Sequence, residues 1–314
     1  MNWKNKGVLC IFILFILLFA GCDADDGAKG RKLDTYNSGI IHISCDETFK
    51  PVIDAQVQVF QWQNPDAKIV VHYKPEAECL KDMLVDSIRM IIATRGASQQ
   101  EINLVADSLK TGLENELLAR DLIAVILNKA SVDTFYSMTE IRELLTGKSK
   151  KNLIPVFDGT SATSTVRFML DSVLKGEQLS PAVVAAENSL GVIEYVTKVR
   201  NAVGFVGFSW IGNMDDTSQA TYRQNVRIAY LESTDSAGAY VQPSQYFIYT
   251  NTYPMVRDLV YILKERHQGL GHAFGRFLLQ IDKGQLIFRR AYLMPVRWPH
   301  YVRDVILNEN INNQ

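Results

Sequence analysis

Cysteine is scarce: four in 314 residues, and only Cys45 and Cys79 lie beyond the first 22 positions, which leaves one disulfide at most. Charge of one sign is missing too, with 33 Lys+Arg against 34 Asp+Glu and a formal net charge of −1, and no block of like charge stands out. Together with the lack of any fixed-period repeat, this excludes basic nucleic-acid arms and solenoids, so no nucleic-acid partner is expected. Nine Pro and 19 Gly are ordinary numbers and exclude collagen-like and low-complexity chains. No Walker loop, dinucleotide fingerprint or Cys/His metal cluster occurs. His267 and His272 are five apart with Gly269 and Gly271 between them, a spacing that suits neither a zinc helix nor a metal loop. Gly159-Thr160-Ser161-Ala162-Thr163 begins like a nucleophile elbow but lacks the second Gly and an obvious His partner. No enzyme, metal or cofactor is expected.

What is present begins with a membrane address. Lys4 and Lys6 precede an apolar run, Val8–Ala20, that ends at Gly21-Cys22, the order of a secretory signal. The run is short of the roughly 20 residues of a comfortable bilayer span and is followed at once by polar sequence. Leu18-Phe19-Ala20-Gly21-Cys22 resembles the bacterial lipobox, whose Cys is acylated and becomes the first mature residue. Residues 1–21 are thus expected to be a signal peptide, Cys22 the lipidation site, and 22–36 a solvated tether, anchoring the protein to a membrane and facing the periplasm or cell exterior. In that oxidising compartment Cys45 and Cys79 are either bridged or two buried free thiols.

The remaining length exceeds one core, so two lobes of roughly 100–200 residues are expected. Strand-to-helix alternation recurs. Strands are read at Ile40–Ser44, Lys68–Tyr73 and Arg89–Thr94, each followed by a loop and a helix start, which implies a mostly parallel, helix-covered sheet. A long apolar strand at Leu122–Leu127 precedes a capping box, Ser137 with Glu140, opening a helix that Gly147 stops. A second α/β series follows: strand Leu153–Phe157, a loop from Asp158 to Ser164, a helix carrying Val166 to Leu174, a helix over 181–199 and a strand Val203–Trp210. Val226–Leu231 and Tyr246–Tyr249 read as strands, Pro254–Lys264 as a helix with Pro254 in its first turn, and 273–279 and 285–291 as the last helices.

Three strand-to-helix loops place small or hydroxyl residues where a helix start presents free N–H groups and favours negative charge: Thr48-Phe49, Thr94-Arg95 and Ser161-Ala162-Thr163. Arg95 is the only cation among these residues. An ordinary N-cap role accounts for each hydroxyl equally well.

In order and spacing these segments resemble the substrate-binding proteins of phosphate ABC transporters. Asp46–Phe49 (DETF) resembles that family's first ligand loop, and Glu116–Lys129 followed by Ser137–Lys148 its hinge strand and following helix. Asp158–Thr165 (DGTSATST) is similar to its Ser-Gly-Thr loop, Ala202–Gly212 to its Gly-rich strand, and Tyr253–Leu263 to its return helix. The resemblance implies an α/β fold of the type II periplasmic-binding-protein kind: two α/β lobes joined by two hinge crossings, with lobe 1 over 37–125 and 241–314 and lobe 2 over 126–240. It implies capture of an oxyanion such as phosphate and delivery to an ABC-transporter permease, with ligand donors Thr48, Phe49, the N–H of Ala77, Thr94, Arg95, Ser161, Ala162 and Thr163. Two departures stand out. Where the family's third loop ends Ala-Ser-Asp, this chain has Ala93-Thr94-Arg95, and the family's Arg four residues before Ser161 is Phe157. Loss of the carboxylate makes sulfate an alternative ligand, and Arg95 is expected either to replace the missing cation or to pair with Glu76, Glu78 or Asp46. A non-transport surface or signalling lipoprotein on the same scaffold is the alternative of a different class, favoured if Glu76 or Glu78 stands unpaired in the cleft.

Overall fold

The computed structural model describes residues 34–159 and 161–298. The expected signal peptide, Cys22, the tether up to residue 33 and Thr160 lie outside the described residues. Chain order gives β1 (Gly39–Asp46), α1 (Lys50–Gln63), β2 (Ala67–Lys74), α2 (Glu76–Lys81), β3 (Ile88–Ala93), α3 (Gln99–Leu109) and β4 (Glu114–Asn128). Then come β5 (Phe135–Tyr136), α4 (Met138–Thr146), β6 (Ile154–Phe157), α5 (Ser164–Phe168, prolonged by a π-helical stretch Met169–Leu174), β7 (Val184–Ala185), α6 (Ser189–Lys198) and β8 (Ala202–Gly207). The chain finishes with α7 (Thr217–Asn225), β9 (Val226–Ile228), β10 (Tyr230–Glu232), β11 (Tyr240–Val241), α8 (Gln245–Tyr249), β12 (Val256–Leu263), α9 (Leu270–Leu278), α10 (Gly284–Arg290) and β13 (Met294–Pro295).

One curled sheet runs β2-β1-β3-β12-β4-β8-β6-β7, with β9 and β13 also paired to β4. β1 is parallel to β2 and β3, and β6 is parallel to β7 and β8, as right-handed strand-helix-strand units require. The long strand β4 joins the two halves. Its residues up to Leu122 pair with β12, and Ile123 to Leu127 pair with β8. Two faces of the first half are apolar. Ile41, Ile43, Phe49, Ile53, Phe60 and Phe274 pack on one, and Cys79, Met83, Ile91 and Val105 on the other. The second half has a single core running from Leu122 to Met255.

Capping chemistry holds as the sequence predicts: Ser137 and Glu140 form a reciprocal box, and Gly147 ends α4 at φ 74°. Ser98 and Glu101 form a second box at the start of α3. Four readings change. Residues 256–263 form a strand, not a helix, lying antiparallel between β3 and β4, because Val-Tyr-Ile-Leu is a short apolar run that fits a doubly buried strand as well as a helix. Pro254 therefore stands before a strand. Residues 245–249 form a short helix instead of a strand, started by the Ser244 hydroxyl accepting the Phe247 N–H at 3.4 Å. The helix read over 181–199 begins only at Ser189, where Asn188 Oδ1 accepts the Gly191 N–H, and Val184 joins β6. The strand read over 226–231 divides at Ala229, because Ile228 pairs with β4 and Tyr230 with β5. Cys45 and Cys79 are two free, buried thiols.

The crossings lie side by side where Ile123 N–H donates to Met255 C=O at 3.0 Å and Tyr253 Oη–H donates to Ile123 C=O at 2.8 Å. Val241, Ile248 and Tyr253 pack in the second core, so we draw the return crossing at about 253–256 and not near 240.

Gly204 shows how tightly the second core is filled. A Cβ there would stand 2.7–2.9 Å from Val196, Val192 and Ile126, inside van der Waals contact. Gly204→Ala is expected to lower unfolding free energy by about 1–3 kcal/mol, read as a lower urea midpoint at unchanged slope. An unchanged midpoint would mean that α6 shifts away without loss.

Candidate functional site

The loop ends of β1, α2 and β3 face those of β6, α5 and β8 across the crossings, and their side chains meet directly. Asp46 closes β1 and accepts the Thr48 N–H on Oδ1 at 3.1 Å, which turns the chain into α1. Thr48 Oγ1 then reaches Asp158 Oδ2 in the other lobe at 3.4 Å, while its carbonyl accepts Trp210 Nε1 at 2.8 Å and Ser209 Oγ at 3.3 Å. Asp158, at the end of β6, also receives Thr163 Oγ1 at 2.8 Å and Thr165 Oγ1 at 3.4 Å. Thr163 is the N-cap of α5, accepting the Val166 N–H, so one hydroxyl both starts the helix and binds the carboxylate. Burial pushes the Asp158 carboxyl above its ordinary range, with Thr163 and Arg257 opposing.

Beside this cluster, Glu76 is 1% exposed and fully paired. Its Oε1 accepts the Thr94 N–H at 2.8 Å and Thr94 Oγ1 at 2.5 Å, and its Oε2 accepts Arg167 Nε at 2.6 Å. Arg167 Nη2 also donates to Thr94 Oγ1 at 2.6 Å. Burial works to raise the Glu76 carboxyl, but the Arg167 and Thr94 donors outweigh it and hold it below the usual value. The Ala77 N–H donates to Ala162 C=O at 3.0 Å, a backbone bond between the lobes.

At the base lies an ion pair that sequence reading did not find. Arg257 from β12 donates through Nε and Nη2 to Asp121 Oδ2 of β4 at 3.0 and 2.8 Å, with both side chains at most 3% exposed. Its Nη1 reaches Ser164 Oγ at 2.9 Å and Thr165 Oγ1 at 3.3 Å in the opposite lobe, and its guanidinium lies 5.0 Å over the Phe49 ring. Gly207 makes room: a Cβ there would meet Thr48 Cγ2 at 2.6 Å and Arg257 Nη2 at 2.9 Å.

Of the residues singled out in the sequence, Thr48, Phe49, Thr94, Ala77, Ala162 and Thr163 come together at the lobe junction. Ser161 is exposed at its edge. Arg95 does not enter the cluster. Its guanidinium forms a bidentate pair with Glu101 at 2.8 Å on each arm, and not with Glu76, Glu78 or Asp46, because Glu101 is held nearby by the Ser98 capping box. Arg95 holds Glu101 down to about 2. The residues missed are Asp46, Asp121, Asp158, Arg167, Ser164 and Arg257. Asp158 heads the quoted loop, and Arg167 follows Thr163 by one helical turn, so a search for charges one turn into α5 reaches it. Arg257 was hidden by reading its strand as a helix.

The comparisons agree with this architecture. The fold and its two-lobed junction define a binding protein of the type II periplasmic-binding-protein class. Residues 31–280 match the family model described as the PBP superfamily domain, and the chain belongs to that family. A curated relative, the phosphate-binding protein PstS of Bacillus subtilis, is 25% identical over 235 residues, covering 66% of this chain and 72% of the relative. A solved structure from Clostridium perfringens, described as a phosphate ABC transporter substrate-binding protein with bound phosphate, superposes with TM-score 0.67 at 19% identity, covering 82% of this chain and 100% of that one. An ABC-type phosphate transport receptor from Vibrio cholerae gives TM-score 0.59 at 18% identity, covering 82% and 100%.

Asp46 carries a consequence for stability. Burial lifts its carboxyl from 3.8 to about 7; Arg257 opposes, Glu76 and Asp158 reinforce, and nearby Ser164 holds it down slightly. Oδ2 has no donor at bonding geometry among the described residues. Between those two values the folded protein holds a proton that the unfolded chain has released, so this group's contribution to stability falls as pH rises from 3.8 to about 7. Asp46→Asn keeps the Oδ1 acceptor for Thr48 and is expected to flatten that decline, read as urea midpoints at about pH 5 and about pH 8. An unaltered slope would assign the proton to another carboxylate.

Proposed function

We propose that this chain is an extracytoplasmic solute-binding lipoprotein that captures phosphate between its two lobes and delivers it to an ABC permease. The observation that carries the reading is the convergence of Thr48 from one lobe with Thr163 and Thr165 from the other on the buried Asp158 carboxylate. Opening at the crossings at Leu122 and Met255 parts these groups and the Ala77–Ala162 bond, and a tetrahedral oxyanion entering there meets hydroxyls and backbone N–H from both sides. The related phosphate-binding proteins support the choice of ion.

Carboxylates at the junction set the selectivity. Phosphate at neutral pH carries a proton that Asp158, freed from Thr48 on opening, accepts, whereas fully ionised sulfate offers none and meets repulsion. In this reading the acceptor is Asp158 and the cation is Arg167, at positions other than those where the resemblance places them. Phosphate is therefore preferred over the sulfate alternative.

The leader and lipobox support anchoring through an acylated Cys22. A second reading, a surface or signalling lipoprotein that transports nothing, draws on the direct bonds between protein groups across the junction. Glu76 is paired with Arg167, and Glu78, exposed and without an ion pair among the described residues, does not line the cavity beside the junction.

Calorimetric titration of anion-stripped protein is expected to show phosphate binding, with sulfate at least about tenfold weaker, a difference of about 1.4 kcal/mol. Equal affinity would remove the carboxylates from selectivity, and silence toward both would favour the second reading. Cys22→Ala is expected to leave the leader uncleaved and the chain without acyl groups, read by mass spectrometry of its N-terminus; cleavage at residue 21 in that variant would refute the lipobox assignment.

A further inference from the structure

A cavity of about 420 Å³ opens beside the junction, between α2 and α3 of one lobe and the α5 side of the other. Its floor reaches Ala77, Ala162 and Thr163, the residues at the lobe contact. Its walls are mainly apolar: Leu80, Met83, Leu84, Leu104, Val105 and Leu170. Leu84 and Leu104 are 45% and 50% exposed, large apolar side chains left in water on the same wall. Arg95, Arg167 and Lys81 line the same space, together with Glu76 and Glu101.

A free inorganic oxyanion has no use for such a surface. It is small, strongly hydrated and fully served by hydroxyl, N–H and guanidinium donors, while a space of this size and apolar lining suits an organic group of a small ligand. Continuity of the cavity with the oxyanion loops fixes where the polar and apolar ends lie. Resting on the oxyanion reading above, we infer that the chain takes phosphate carrying an apolar organic substituent, a phosphonate or phosphate monoester, with the phosphoryl oxygens at the junction and the substituent against Leu80, Leu104 and Leu170. Arg95 then has a role at the cavity wall in place of the junction: its pair with Glu101 holds α3, and with it Leu104 and Val105, against the space.

Titration of the purified chain with inorganic phosphate and with phenylphosphonate tests this. Phenylphosphonate is expected to bind at least about tenfold more tightly than phosphate, and Leu104→Ser, which removes apolar surface from the wall without adding charge, is expected to abolish that advantage. Leu84→Ser serves as the second variant if the first unfolds. Phenylphosphonate binding no tighter than phosphate would overturn the inference and leave the phosphate reading standing. Binding of phenylphosphonate alone would support the inference and revise the preferred ligand, and binding of neither would overturn both.

Discussion

The buried pair of Asp121 and Arg257 is the constraint on which the rest of the junction depends. The two strands that cross between lobes, β4 and β12, each contribute one charge, and both side chains are almost wholly out of water. In that setting either charge alone carries a large desolvation penalty, so the pair fixes the register of the crossing strands. Arg257 spends its remaining donor on Ser164 and Thr165 and stacks on Phe49, tying the start of α5 and the turn after β1 to the same point. Gly207 is required beside it because a side chain would occupy the space of both Thr48 and the guanidinium.

Around that pair, acid exceeds base. Among the described residues, Asp46, Glu76, Asp121 and Asp158 are buried together, with Arg167 and Arg257 as their cationic partners at the junction. Hydroxyls and backbone N–H groups make up part of the deficit, and burial raises the carboxyls of Asp46, Asp121 and Asp158, that of Asp46 to about 7. The junction's cross-lobe bonds, Thr48 to Asp158 and Arg167 to Glu76, tie the two lobes together through these same buried carboxylates.

Much of the strand and helix order was legible because its signals are local. β1 and β2, the capping box at Ser137 and the Gly147 stop all rest on neighbours a few residues apart. The last third was less so. Val256–Leu263 carries an apolar run that either period accommodates, and its place between β3 and β4 decided for strand. That error concealed Arg257, since a strand reading sets it on the face opposite Val256 and Asp258. Arg95 stands outside the junction cluster for a different reason: Glu101, six residues on, pairs with it at short range.

The sequence by itself determined the α/β alternation, the loops that end at the lobe junction and the hydroxyls that cap their helices, because propensity, capping and apolar periodicity act over a turn or two of chain. Tertiary structure alone decided the charge partners. Glu76 meets Arg167 across 91 residues, Thr48 meets Asp158 across 110, and Arg257 meets Asp121 across 136. Those distances close only when β4 carries the chain out and β12 brings it back, and a carboxylate buried at the crossing takes whichever cation the returning strand presents.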